Sequence, residues 1–168
     1  MYYSNTFDSQ ITSWTGTNAS VALATSEFRT GSGSLKITMS GTATGKGTYT
    51  TYSMGSGTQL IMKLFVKGDS TSSGKFVKAF IQCDGNASVR NSVPVKLSSS
   101  SWSEIWVTSC LPSTGTVTIG VQGVNLGTTD NVYVDDLTLD SYFTPVMTVK
   151  GRSIFKNGVK KYFRGMGY

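Results

Sequence analysis

Apolar and polar side chains alternate along three separate stretches of this chain, and a period of two suits only a β-strand buried on one face. Leu60, Met62, Leu64 and Val66 share one side of the first stretch. Val77, Ala79, Ile81 and Cys83 share one side of the second, and Val117, Ile119 and Val121 one side of the third. Each such face needs another layer to cover it. No run with helical period is long enough to read as a helix. Turn residues recur at regular spacing, which predicts a sandwich or jelly roll.

Eight jelly-roll strands are expected, lettered B to I. They are Ser34 to Met39, Thr48 to Met54, Gln59 to Lys67, Lys75 to Cys83, Ala87 to Leu97, Trp102 to Ser109, Thr116 to Val124 and Val132 to Leu139. A leading strand covers Tyr2 to Phe7. Jelly-roll connectivity puts B, I, D and G in one sheet and C, H, E and F in the other. The fold class is therefore all-β: a two-sheet antiparallel jelly-roll β-sandwich over residues 1–142, then a C-terminal stub over 143–168. In the stub, apolar runs flank Asn157-Gly158, a strong hairpin signal.

Low charge and many Gly, Ser and Thr suit a secreted domain, extracellular or at a cell wall, and a monomer is expected. No apolar run approaches membrane-spanning length, and no signal peptide is visible. The net charge of +6 is local. Lys150, Arg152, Lys156, Lys160, Lys161 and Arg164 are six of the fifteen cations, so nine remain to face the nine acids. The first domain is formally neutral and lacks the basic footprint of a nucleic-acid binder. Without histidine, neither a Ser-His-Asp nor a Cys-His site can be built. Asn18 and Asn86 each begin a glycosylation sequon.

The outward faces of C, H, E and F carry the functional signal. Strand E shows Phe76, Lys78, Phe80 and Gln82, and strand H shows Thr118, Gly120 and Gln122. Strand C shows either Tyr49 with Thr51 or Thr50 with Tyr52, and strand F offers Arg90 and Ser92. Aromatic rings among amides, cations and hydroxyls suit sugars, whose C–H faces need flat apolar cover and whose hydroxyls need polar partners. The competing reading is an ordinary solvent face with aromatics, which strands favour anyway. No acid falls on that face, so a glycosidase carboxylate pair is not expected there. Trp106 shares its side of strand G with Glu104 and points outward on the other sheet.

Two resemblances sharpen this reading. Asn5-Thr-Phe7-Asp8, Trp14, Gly33-Ser-Leu35-Lys-Ile37, Phe65-Val-Lys-Gly68-Asp69, Trp102 and Tyr133-Val-Asp135-Asp136-Leu137 occur in that order. The pattern resembles jelly-roll carbohydrate-binding modules related to families 4, 9 and 22. It implies core roles for Trp14 and Trp102. It also implies a structural calcium held by Asp8, a carbonyl near Ser32 or Ser34, and Asp135, with Asp136 beside it; hard oxygens suit that ion. The competing reading has Asp135 and Asp136 solvated or capping loops. The family pattern usually has Glu where this chain has Asp8. The tail, from Val149 through Tyr162-Phe-Arg164-Gly165-Met-Gly167-Tyr168, resembles the opening of a glycoside hydrolase barrel, most of all the β-1,3-glucanosyltransferases.

Cys83 ends strand E and Cys110 lies between G and H, so neighbouring antiparallel strands E and H predict a disulfide; buried thiols are the alternative. Together these features predict a non-catalytic module that holds a linked glucan-active catalytic domain on β-glucan, most plainly β-1,3-linked. A structural module that steadies the barrel without binding sugar is the alternative.

Overall fold

A computed structural model describes residues 2–41, 44–83 and 89–141 and the backbone of three short strands beyond them. Twelve strands build two antiparallel six-stranded sheets, and no helix occurs among the described residues. The first sheet contains β1 (Tyr3–Asn5), β3 (Ala19–Ala24), β4 (Ser34–Met39), β6 (Gln59–Gly68), β10 (Ser103–Cys110) and β12 (Asn131–Ser141). Its order is β10-β6-β12-β4-β3, with β1 also on β12. The second contains β2 (Trp14–Thr17), β5 (Lys46–Met54), β7 (Phe76–Cys83), β8 (Val89–Asn91), β9 (Val95–Lys96) and β11 (Gly115–Val124). Its order is β2-β5-β11-β7-β8, with β9 also on β7. Expected strands B, I, D and G thus share one sheet and C, H, E and F the other, as jelly-roll connectivity requires.

The alternating faces meet as one core. Leu60, Met62, Leu64 and Val66 of β6 oppose Val77, Ala79 and Ile81 of β7 and Val117, Ile119 and Val121 of β11, all buried. Strand β12 spans the first sheet and changes neighbours half-way. Its residues 131–134 pair with β4, and its residues 137–139 pair with β1. A bulge between Asp135 and Thr138 marks the change, with Asp136 at φ 49°. The extra residue resets the alternation, so Val132 and Val134 and then Leu137 and Leu139 all face inward.

Three expectations are corrected. Strands β2 and β3 were not anticipated, because Ala19, Ala22 and Ala24 dilute the alternation and Asn18, at φ 48°, turns the chain between them. Strand F is split into β8 and β9, because Pro94 has no N–H to donate; Ser92 Oγ accepts the Ala79 N–H at 3.0 Å instead. No disulfide joins Cys83 to Cys110. β10 continues to Cys110, which pairs with Gln59 in the first sheet, while Cys83 pairs with Val117 in the second. Leu111 then enters the core, and the Ser113 carbonyl, not Cys110, reaches the Cys83 thiol at 3.5 Å.

Beyond residue 146, β13 (Met147–Lys150), β14 (Ser153–Lys156) and β15 (Val159–Lys161) form a separate antiparallel sheet. Lys156 pairs with Val159, so residues 157 and 158 connect the strands; they lie outside the described residues, as does the Tyr162–Tyr168 segment.

The turn after β6 is clamped to β12 by Asp69. Its Oδ1 accepts N–H groups from Thr71 at 3.0 Å and Ser72 at 2.9 Å, and its Oδ2 accepts the Asn131 amide. Burial works to raise the Asp69 pKa, but the hydrogen bonds from Asn131, Ser72 and Thr71 outweigh it and hold the group at about 2, against 3.8 in a free side chain. A depressed carboxylate stabilises the fold above its unfolded pKa, and that contribution fades as pH falls through the folded one. Chemical denaturation is therefore expected to show stability falling between about pH 4 and pH 2, with Asp69→Asn losing roughly 1 kcal/mol at pH 7 and much of that acid slope. An unchanged slope in the variant would remove Asp69 from this role.

Candidate functional site

The registers fix the outward face of the second sheet as three rows. Thr17, Lys46, Gln122 and Lys78 form one. Thr15, Thr48, Gly120, Phe80 and Asn91 form the next. Thr50, Thr118, Gln82 and Val89 form the third. Hydroxyls bridge neighbouring strands, Thr15 to Thr48 at 3.0 Å and Thr50 to Thr118 at 3.1 Å. The face thus offers two lysines, two glutamine amides and a set of hydroxyls around one phenyl ring.

That ring is not the open platform expected of it. Phe80 is only 3% exposed. It lies across Gly120, where an added Cβ would stand 2.8 Å from the ring and 2.4 Å from the Gly47 carbonyl oxygen. The glycine leaves a hollow on the sheet, and the ring sinks into it. The Lys46 ammonium stands 5.8 Å from the ring centroid.

Tyr49 is also corrected. A bulge between Thr116 and Thr118 shifts β5 against β11, and Tyr49 pairs with core-facing Ile119. Its ring therefore turns inward and stacks on Tyr3 with centroids 4.3 Å apart, beside the buried Trp14. The alternative face holds, with Thr48 and Thr50 outward. The Tyr52 side chain lies outside the described part.

Arg90 pairs with Ile81, so it sits at the sheet edge on the core-facing side and away from Gln82. Phe76 is outward but pairs with Val124 and Lys96 at the far end of the face. Lys78, Gln82 and Gln122 remain together. Lys46, Thr48 and Asn91 join them: β5 begins at Lys46, two residues before the expected start at Thr48, and only the registers place the other two.

The expected calcium ligands flank one loop, residues 29–32. Asp8 Oδ1 accepts the Ser32 N–H at 2.6 Å, and its Oδ2 accepts the Thr6 hydroxyl at 2.6 Å. The Thr6 bond first, then the Ser32 N–H, lower its pKa. Gly31 sits at φ +68° with no room for a Cβ beside Asp8 Oδ1. Asp135, fully buried, accepts N–H groups from Arg29 at 2.7 Å, Thr30 at 3.2 Å and Asp136 at 2.8 Å. Asp136 instead pairs with the Arg29 guanidinium, which lies 3.6 Å over Phe65. Ser34 is buried and donates to the Glu27 carbonyl.

No three acids gather as a cluster among the described residues. The donor chemistry still fits a hard cation. Burial raises the Asp135 pKa despite its N–H partners, so a positive ion would relieve a disfavoured charge. The carbonyls of Phe7 and Ala24, 2.6 and 3.2 Å from a Cβ built on Gly33, supply neutral oxygens nearby: Phe7 precedes Asp8, and Ala24 pairs with Ser34 across the sheet.

No protein-family model and no curated protein sequence matches this chain. Solved structures do match its fold. One is the second family 22 xylan-binding domain of Paenibacillus barcinonensis Xyn10C, with a TM-score of 0.70 at 12% identity over 84% of this chain and 100% of that one. Another is the C-terminal family 22 carbohydrate-binding module of Clostridium thermocellum Xyn10B, with a TM-score of 0.67 at 17% identity over 83% and 92%. A family 4 carbohydrate-binding module matches with a TM-score of 0.56 at 18% identity over 77% and 95%. At such identities the likeness establishes the fold, the β-sandwich jelly roll of carbohydrate-binding modules.

The seat of the Phe80 ring is testable. Gly120→Ala is expected to cost about 1–3 kcal/mol in urea denaturation, because the Gly47 carbonyl is backbone and cannot swing away. Equal stability would mean that the ring does not rest on Gly120.

Proposed function

We propose that this chain is a non-catalytic carbohydrate-binding module that lays a neutral polysaccharide across the outward face of the second sheet. The observation that carries the reading is the set of rows in which Lys46, Lys78, Gln82, Gln122 and paired threonines surround a nearly flush phenyl ring. Lysines and amides donate to sugar hydroxyls, threonines donate and accept, and the ring gives C–H faces an apolar floor. Every described residue in those rows is neutral or cationic, and a carboxylate pair for glycoside hydrolysis is not found among them.

The ligand we favour is β-glucan, β-1,3-linked on the strength of the glucanosyltransferase-like tail. Xylan is the second reading, favoured because three of the matching structures are described as xylan-binding domains. In either case the module would work outside the cell and hold a linked catalytic domain at its substrate, raising local concentration. An open face desolvates little per sugar, so affinity should be modest.

Calorimetry against β-1,3-, mixed-linkage and β-1,4-glucans and xylan tests this. Binding to at least one is expected, and Gln82→Ala should weaken it about tenfold with little change in melting temperature, through loss of one to two sugar hydrogen bonds. No heat with any of the four would leave a structural module instead.

We propose in addition that Asp8 and Asp135, with carbonyls near Ser32 and Ser34, hold a structural calcium. Because the ion would bind only the native arrangement, chelator should lower the melting temperature and added calcium restore it. Asp135→Asn should abolish that response even though the variant itself melts lower. Superimposable melting curves with and without chelator would refute the site.

A further inference from the structure

Trp106 is the most exposed aromatic side chain described in the protein, at 60%. It stands on the outer face of the first sheet, opposite Lys63, where no glycine leaves a hollow for it. Two hollows share it. One, of about 310 Å³, lies where β8 and the following loop approach β10, and its lining includes Asn91, Val93, Glu104 and Trp106. The other, of about 360 Å³, lies on the sheet face between Trp106, Lys63 and Thr108.

Asn91 joins this edge to the proposed groove. It ends the row Thr48, Gly120, Phe80 on the second sheet and also lines the first hollow. A chain leaving the groove past Phe80 would therefore cross Asn91, pass over Val93, which is 81% exposed, and reach the indole. Glu104 and Thr108 flank Trp106 two residues away on either side of the same strand face, with Lys63 opposite it. A broad flat ring between an acceptor, a hydroxyl and a donor matches a pyranose ring, with apolar C–H faces and hydroxyls round its rim. Trp106 and Val93, both exposed, line one hollow together, and an exposed apolar patch rimmed by polar residues marks a contact site; continuity with the groove selects its occupant.

We infer that the glycan site does not end at the edge of the second sheet. It continues past Asn91 round the β8–β10 edge and finishes on Trp106, which serves as an added subsite for long chains. This rests on the groove reading given above and extends it. Trp106 would contribute nothing to short oligosaccharides and would raise affinity only when one chain is long enough to touch both places, since the second contact is then intramolecular.

The test is a length series. Wild type, Trp106→Ala and Gln82→Ala are titrated calorimetrically with β-1,3-gluco- and xylo-oligosaccharides from about three to about ten units, a range chosen to pass from single-site to two-site contact. Trp106 is exposed, so its variant is expected to melt like wild type. For the longest chains Trp106→Ala should bind about tenfold more weakly, as expected for one lost ring stack, while the shortest bind unchanged. Long chains, and not short ones, should also shift wild-type tryptophan fluorescence to shorter wavelength, a change absent in Trp106→Ala.

Equal affinity of wild type and Trp106→Ala at every length overturns the inference, and so does an equal loss at every length. A concentration-dependent dimer in sedimentation that Trp106→Ala abolishes, with glycan affinity intact, also overturns it and assigns the patch to a second copy. The Gln82→Ala arm separates the two claims: if that variant binds all lengths like wild type, the groove reading itself has failed.

Discussion

Each sheet of this protein has one apolar face, and the two faces can leave water only by closing on each other. That closure uses Leu60, Met62, Leu64 and Val66 from one side and the alternating residues of β7 and β11 from the other. At about 25 cal/mol per Å² of apolar surface removed from water, it is the dominant favourable contribution to the fold. It also dictates where chemistry can happen. The inner faces are spent on the core, so a ligand can be offered only the outward faces, the open edges and the loops.

The bulges show how the same constraint governs detail. Without an extra residue, strict alternation through Asp135 would carry Leu137 and Leu139 outward. The bulge in β12 brings both back to the core and leaves Asp135 buried, held by N–H groups of residues 29, 30 and 136. The shift between β5 and β11 works the same way and turns Tyr49 inward onto Tyr3. Polar placement follows from where apolar side chains must go.

The aromatic rings follow a related rule. Burying a phenyl ring is worth roughly 2–3 kcal/mol, so a ring on a sheet face settles wherever the backbone leaves room. Phe80 has Gly120 beside it and sinks; Trp106 has Lys63 beside it and stays exposed. The two rings read alike in sequence, each an aromatic on an outward strand face. Their partners across the sheet make one a floor and the other a projecting surface.

The sequence by itself determined the fold class, seven of the eight lettered strands and their division between sheets, because period-two alternation and turn spacing are local properties of the chain. It also determined that Lys78, Gln82 and Gln122 share a face, since the apolar residues that alternate with them on both strands must point into the core. It could not place Tyr49, Arg90 or the two cysteines. Those depend on a one-residue bulge, on which residue of β8 meets Ile81, and on how far β10 runs before crossing to the other sheet. A shift of one residue reverses the face of every side chain after it. Only the hydrogen-bonded registers of the folded sheets settle such shifts, because they are chosen by the packing of the whole core and leave no mark in any single strand.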